Sequence, residues 1–426
     1  MNSSIRSLQA AGTLDEQFAE AGIFRLSLPH LAPETLITGV EAEHSPQRLY
    51  FTGQARSSTT NRPYLLGRLL PDGTLDNSFG TGGVVSGSFS PGAPSLGKSI
   101  SLLDDGKILL TGLVRLDGIP ALARFFADGT LDLGFGNNGY VVLEHPEAVQ
   151  AHRATAGAGL LSSVSATALA NGKIVLVHNY VVAHSADTRA FIYLLDSVGA
   201  LDTSFNQKGY VPVVYPGADP ANVRLRSALL DADGKISVCG NLTAQSGSSA
   251  PLFARYQADG NLDAGFGDAG FVLVSTLQAS AELNAVIAQP NKRLLGIGET
   301  DAAQGLLISL EPDGQPNIQF NRGQPLLTRL NDLDTLWQRG AMQPDGSIVM
   351  LGKIHRPKEQ GEVAVARLLS DGSLDPTFNG AGWASTPLER SSTFDALTLQ
   401  TDGKIVIAGS LAADFQGLVL RYHGRG

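Results

Sequence analysis

Four of the eight histidines, His145, His152, His178 and His184, fall within one stretch of this 426-residue chain, beside Glu144, Glu147 and Asp187. Imidazole nitrogens with nearby carboxylates are donors for zinc or a similar divalent metal. A histidine beside a carboxylate is equally the usual general base near neutral pH. His145, His152, His178 and His184 are therefore the candidate metal ligands. The spacing matches no standard metal motif, and histidines gathered on loops are also ordinary surface residues. Tyr180, Tyr215, Phe89 and Phe415 read as loop aromatics that stack on a sugar ring or seat a peptide. The candidate binding residues are His145, His152, His184, Asp187, Tyr180 and Tyr215. His30 with His44, and His355 with Glu359 and Glu362, are weaker groupings. The sequence has no Gly-x-Ser-x-Gly elbow, phosphate-binding loop or His-Glu-x-x-His pair, so no catalytic residue is assigned. Cys239, the only cysteine, sits in a strand-like run and reads as a small buried apolar residue.

These residues must be positioned by a repeated phrase. It is clearest as Asp128-Gly129-Thr130-Leu131-Asp132-Leu133-Gly134-Phe135-Gly136. Its second acidic position returns at Asp15, Asp76, Asp132, Asp202, Asp263, Asn317 and Asp375. A period of roughly sixty residues marks a repeat architecture. Around the third copy, Tyr140–Leu143, Ser163–Leu169, Lys173–Val177 and Ala190–Leu195 read as strands. Asn171-Gly172, like Asp105-Gly106, Asp233-Gly234, Asp345-Gly346 and Asp402-Gly403, supplies a tight hairpin turn. Gly53, Gly112, Gly240, Gly298, Gly352 and Gly409 recur inside the following strand, which points to a bulge or a close backbone approach. His178 stands at that place in the third copy.

Four antiparallel strands repeated radially make the blade of a β-propeller. Seven copies predict an all-β, seven-bladed propeller filling residues 1–426 as a single domain. The chain opens on a phrase and ends on a strand, Leu418–Tyr422, so the two termini should share one repeat and close the ring. The phrase Asp-Gly-Thr-Leu-Asp-x-x-Phe-Gly-x-x-Gly recurs together with Asp-Gly-Lys-Ile. Strands such as Ala123-Arg124-Phe125, Ala254-Arg255-Tyr256 and Ala366-Arg367-Leu368 accompany it. This combination resembles the bacterial delta-60 repeat family of β-propellers across essentially the whole chain. The resemblance implies a propeller and brings no catalytic residues, because members of the family are largely without assigned activity.

Each repeated Asp is expected to cap the turn that follows it, with the Phe packed between blades. Arg68, Arg124, Arg255, Arg367 and Arg421 recur eight residues before the Asp position, which suggests an ion pair pinning the blade-to-blade crossover. Ser309 with Asn317 fits such pairing; Leu194 with Asp202 does not. The phrases and the Asp-Gly turns should share one face of the disc. The variable stretches, among them 86–97, 143–162, 179–188, 353–363 and 410–417, should share the other. Insertions in repeat proteins gather on the binding face.

A net charge of −9 without a basic stripe argues against nucleic acid. No apolar run is long enough to insert into a membrane, and no secretory signal is visible, so cytoplasm is the default location, with signal-independent export as the other route. The expectation is a non-catalytic, cofactor-free module that binds a protein or a glycan through the variable face. The alternative is a propeller hydrolase or lyase with a divalent metal in the histidine-rich blade.

Overall fold

The computed structural model describes residues 10–57, 62–115, 118–144, 164–168, 172–181, 188–219, 222–356, 361–388, 391–412 and 415–425. The first strand is β1 (Ile23–Arg25). Blade 1 is β2 (Glu34–Ala42), β3 (Leu49–Arg56), β4 (Tyr64–Leu69) and β5 (Val84–Gly87). Blade 2 is β6 (Ser95–Leu102), β7 (Ile108–Val114), β8 (Ile119–Phe125) and β9 (Tyr140–Val142). Blade 3 is β10 (Val164–Ala168), β11 (Ile174–Val181), β12 (Thr188–Leu195) and β13 (Tyr210–Pro212). Blade 4 is β14 (Val223–Leu230), β15 (Ile236–Thr243), β16 (Ser249–Tyr256) and β17 (Phe271–Leu273). Blade 5 is β18 (Ala281–Ala288), β19 (Leu294–Thr300), β20 (Gly305–Leu310) and β21 (Leu326–Thr328). Blade 6 is β22 (Asp334–Met342), β23 (Ile348–His355), β24 (Glu362–Leu368) and β25 (Trp383–Thr386). Blade 7 is β26 (Ser392–Leu399), β27 (Ile405–Leu411), β28 (Gln416–Tyr422) and, from the other end of the chain, β1.

The described residues thus form a seven-bladed propeller of four-stranded antiparallel blades. The ring closes where β1 pairs with β28 and Leu14 bridges Tyr422. The first strands of successive blades adjoin one another all the way round, so they line the axis. The second and third strands are covered on both faces and read as continuous apolar runs, as in fully buried β7 and β8. The core lies between blades, with Trp337 and Cys239 inside it.

One expectation needs correction. The phrase does not cross between blades; residues 72–80 join β4 to β5 within blade 1, and the other copies do likewise. The variable stretches beginning at 86 and 143 are the blade-to-blade crossovers. Because strand direction alternates, the division of the two faces survives this shift by one strand.

The phrase is held by a two-sided aspartate. At all seven positions the Oδ1 accepts the backbone N–H two residues on, for example Ser78 to Asp76 at 3.0 Å and Gln319 to Asn317 at 3.0 Å. In five blades the Oδ2 takes the Nε of an arginine from the third strand: Arg68–Asp76, Arg124–Asp132, Arg255–Asp263, Arg367–Asp375 and Arg421–Asp15. Each arginine also lies over the phrase phenylalanine, at 4.3–5.2 Å from the ring centroid. One of its terminal nitrogens donates to a backbone carbonyl of the next blade, as Arg68 to Ala127 at 2.6 Å and Arg421 to Pro71 at 2.7 Å, and Arg367 to Gly424 in the C-terminal segment.

The two exceptions have distinct solutions. Blade 3 has Leu194 in place of arginine, and Lys173 Nζ reaches Asp202 at 2.8 Å. Blade 5 is neutral: Asn317 donates to Ser309 at 3.0 Å, and Ser309 donates to Gln289 at 2.6 Å.

A second ring is built from backbone. The residue after each phrase phenylalanine donates to a carbonyl of the next blade. The seven donors are Ala19, Gly80, Gly136, Asn206, Gly267, Asn321 and Asn379, and their acceptors run from Asp72 round to Ala11. Gly129 shows why the phrase needs glycine there. Its φ is +89°, and a Cβ would stand 2.9 Å from Val85 and 3.1 Å from the ring of Phe79 in the preceding blade.

Arg124→Met leaves a buried Asp132 carboxylate with only the more distant Lys107, and should lower unfolding free energy by about 3 kcal/mol. Lys173→Met breaks a pair in which the lysine is 38% exposed, and should cost below about 1 kcal/mol. Urea unfolding of both variants checks the order, and equal losses would overturn it.

Candidate functional site

The inner strands carry a repeated irregularity. In six blades the register of the first strand slips by one residue opposite the recurrent glycine of the second. The extra residues are Thr38, Lys98, Arg226, Asn284, Gln338 and Asp395, all polar. The glycine is required because the bulge pushes a carbonyl against it: a Cβ on Gly53 would stand 1.8 Å from Leu36 O. Neutral bulge residues tie neighbouring blades together. Thr38 Oγ1 donates to Gly97 O at 2.5 Å and Asn284 Nδ2 to Trp337 O at 2.9 Å.

Blade 3 departs from this. His178 occupies the glycine position, pairs with Val164, and the described inner strand runs from there without a slip. The adjacent Asn179 takes over the interblade task, donating to Leu225 O at 2.6 Å and accepting from Leu225 N–H at 2.8 Å.

Between blades 6 and 7, on the variable face, lies a cleft of about 240 Å³. Its walls come from β22 (Leu336, Gln338), β23 (Gly352, Lys353, His355), β24 (Val363) and β26 (Ser392, Thr393, Phe394, Asp395). It descends to the bulge ring at Gln338 and Asp395. Gly361 leaves room for its wall; a Cβ there would lie 2.7 Å from Lys353 Cε and 2.9 Å from His355 Nε2. Next to the lining residue His355, Arg356 pairs with Glu362 at 3.0 Å. The lining combines an ammonium, an imidazole, an amide, a carboxylate and two hydroxyls with the apolar side chains of Leu336, Val363 and Phe394. This chemistry suits recognition of a hydroxyl-rich group. The volume falls below the roughly 300–1,000 Å³ of clefts that enclose drug-sized ligands, so one ring or one side chain fits.

Of the residues singled out from sequence, His145, His152, His184, Asp187 and Glu359 lie outside the described residues. His178 is 2% exposed, its ring edge-on to Tyr180 with centroids 4.6 Å apart. Tyr180 was expected on a loop; instead it lies in β11 and is buried. Its hydroxyl donates to Leu143 O at 2.7 Å and accepts from Tyr193 at 2.8 Å. Alternation along an unexpectedly long strand turns it inward. Phe89, also expected to be a free loop aromatic, is 2% exposed and packs on Tyr64 at 4.8 Å. Tyr215 lies on a crossover, half-buried and edge-on to Phe271 at 5.4 Å. Phe415 sits on the variable face beneath Arg56 at 4.2 Å. His355 does line the cleft, but Glu362 turns to Arg356 instead. Among the described residues no three of His, Cys, Asp and Glu gather as metal ligands, and no helix is long and apolar enough to cross a membrane.

Fold and cleft define a β-propeller with a structural face and a variable, cleft-bearing face. A family model described as "Domain of unknown function (DUF5122) beta-propeller" matches residues 48–79, 103–135, 232–266 and 343–378, about a third of the chain. Each matched stretch runs from the second strand, or the turn before it, to the end of the phrase at or beside its phenylalanine. No curated protein matches the sequence. The structure resembles Drosophila semaphorin 1a, extracellular domains 1-2, at 10% identity and TM-score 0.50, covering 92% of this chain and 86% of that one. The β-propeller domain of the Trilobed protease from Pyrococcus furiosus is also similar, at 10% identity and TM-score 0.48, covering 92% and 98%. So is the PQQ-bound aldose sugar dehydrogenase from Streptomyces coelicolor, at 12% identity and TM-score 0.44, covering 76% and 92%. Likeness at this identity concerns the fold alone.

Two carboxyls, one on a first strand and one on a second, are displaced upward. Burial pushes Glu41 on β2 up to about 8. Burial, then the charge of Glu282, pushes Glu299 on β19 up to about 7. A raised folded-state value means that the native state holds its proton over a range where the unfolded chain has released it. Stability therefore falls as pH rises from the ordinary glutamate value of 4.5 to about 8. Glu41→Gln should match the parent near pH 4 and exceed it at pH 8–9 in denaturant midpoint. A constant offset across that range would sink the assignment.

Proposed function

We propose that this propeller is a non-catalytic binding module that seats a glycan unit in the cleft between blades 6 and 7, with the surrounding variable loops completing the contact. One observation carries the reading. The stereotyped face is tied up in a closed ring of seven interblade backbone hydrogen bonds and by interblade arginines in five blades, whereas the opposite face presents a polar cleft lined in part by an aromatic. Sugars match that lining because they offer hydroxyls at the ring edge and an apolar ring face. A protein partner inserting one polar side chain is the other outcome of the same test. The roughly sixty-residue recurrence and the phrase itself support placing the repeat in the delta-60 class.

The test uses the full chain on a glycan panel, followed by affinity measurement for any binder. Gly361→Leu, which narrows the cleft, and Lys353→Ala should each weaken binding about tenfold or more while leaving the melting temperature within a few degrees. Asp104→Ala, on the stereotyped face, should bind like the parent. Binding that ignores the cleft substitutions would defeat the proposal; capture by a purified protein but no glycan would move the ligand class.

A further inference from the structure

We propose that the glycan unit seated between blades 6 and 7 is an acidic sugar, a hexuronate. Lys353 and His355 hold its carboxylate, while Asp395 and the hydroxyls of β26 take its ring hydroxyls. The assignment rests on the glycan-binding reading above and names its ligand class.

The residue after the recurrent glycine of the second strand commonly fastens one blade to the next. Gln54 donates to Ser95 O at 3.0 Å, Ser410 accepts from Ile37 N–H at 2.9 Å, and Glu299 accepts from Gln338 Nε2 at 3.2 Å. Asn179, which follows His178, does the same with Leu225. Leu113 is apolar and buried, and Asn241 bonds within its own blade. In blade 6 the residue is Lys353, which lines the cleft and has no hydrogen bond or ion pair among the described residues. The cleft opens where that fastening is missing.

The surrounding geometry suits a carboxylate. Val349 and Leu351 of β23 belong to one core cluster with Phe394 and Ile405 of blade 7. Strand alternation puts Lys353 and His355 on the same face, beyond the end of that apolar row. Leu336 and Val363, the strand partners of Lys353, line the same cleft and flank the lysine stem, so the ammonium is its polar tip. Lys353 Cε and His355 Nε2 converge, since a Cβ on Gly361 would stand 2.7 Å from the first and 2.9 Å from the second. Two donors can thus serve the two oxygens of one carboxylate. The nearby acids are otherwise engaged: Glu362 by Arg356 at 3.0 Å, Asp334 by Arg329 at 2.7 Å, and Glu299 by Gln338. Residues 357–360 and 389–390, outside the described residues, carry one acid and one base in each stretch and so add no net charge. Asp395 is the one carboxylate in the described lining, and it belongs to the opposite wall, on β26 with Ser392 and Thr393. A bare anion would be opposed by that carboxylate. A hexuronate presents hydroxyls to it and its own carboxylate to Lys353.

The experiment measures the affinity of the full chain for matched methyl glycosides, glucuronate beside glucose and galacturonate beside galactose, with the neutral sugars' 6-sulfates alongside, at constant ionic strength. The parent should bind a uronate about tenfold more tightly than its neutral partner. Lys353→Met should bring that ratio near one, His355→Gln should lower it about threefold, and Lys353→Arg, which keeps the charge, should preserve most of it. Melting temperatures within a few degrees of the parent show that the variants fold. If Lys353→Met does not fold, His355→Gln decides the matter. Neutral sugars bound as tightly as uronates, sulfates preferred to uronates, or a ratio that Lys353→Met leaves unchanged would overturn the acidic assignment while glycan binding stands. Binding of neither member of any pair would defeat the glycan reading itself.

Discussion

The shared aspartate is the constraint on which this propeller depends. One carboxylate oxygen closes its own turn, and in the charged copies the other holds a basic side chain from the same blade. In five copies that base is an arginine that lies on the buried phenylalanine and reaches a carbonyl of the next blade. Burial would raise the Asp76, Asp132 and Asp375 carboxyls. Hydrogen bonds from the turn and the adjacent arginine outweigh it and hold them below the usual carboxylate range. A buried ion pair is a weak source of net stability, because desolvation offsets most of the attraction. What it supplies here is specificity: each blade can dock on the next in one register only. The neutral version in blade 5 makes the point, since Asn317, Ser309 and Gln289 keep the hydrogen bonds without charge.

Much of this was legible because it repeats. Six returns of Leu-Asp-x-x-Phe and the altered copy Pro316-Asn317-Ile318-Gln319-Phe320 gave the blade number, the turn acid or amide and the interblade phenylalanine, and the mid-strand glycine announced the bulge. The phasing of the blade was not legible. The phrase bonds to strands of its own blade and to the next phrase, so its sequence is equally consistent with an inner connection or a crossover. Only the pairing of short outer strands such as β9 (Tyr140–Val142) with β8 settles it. Asp202 looked orphaned beside Leu194 because its partner, Lys173, comes from the turn before the second strand. The same lysine position contributes to Asp132, Asp263 and Asp15 through Lys107, Lys235 and Lys404.

The cleft was hidden for a different reason. Its walls are contributed by strands of two blades, and no local motif links Lys353 and His355 to Asp395. What could have flagged it is departure from the repeat. His178 departs visibly, yet it is simply buried where the inner strand runs without the bulge that demands glycine in other blades, with Asn179 beside it serving the neighbouring bulge. A break in a repeat is therefore as readily structural as functional, and burial separates the two.

Arg339 shows the same logic at the axis. The position after the bulge is small in five blades, and in blade 6 it is a long cation that donates to a carbonyl of its own blade and to one of blade 5. Had its purpose been to plug the channel, an apolar side chain would do so without desolvating a charge. A guanidinium instead engages two carbonyls at once and ties blades 5 and 6 together at their inner strands. The division of labour then follows the symmetry of the molecule. Features that obey the sevenfold repeat hold the ring together, and those that break it with exposed or unpaired polar groups are placed where a ligand can reach them.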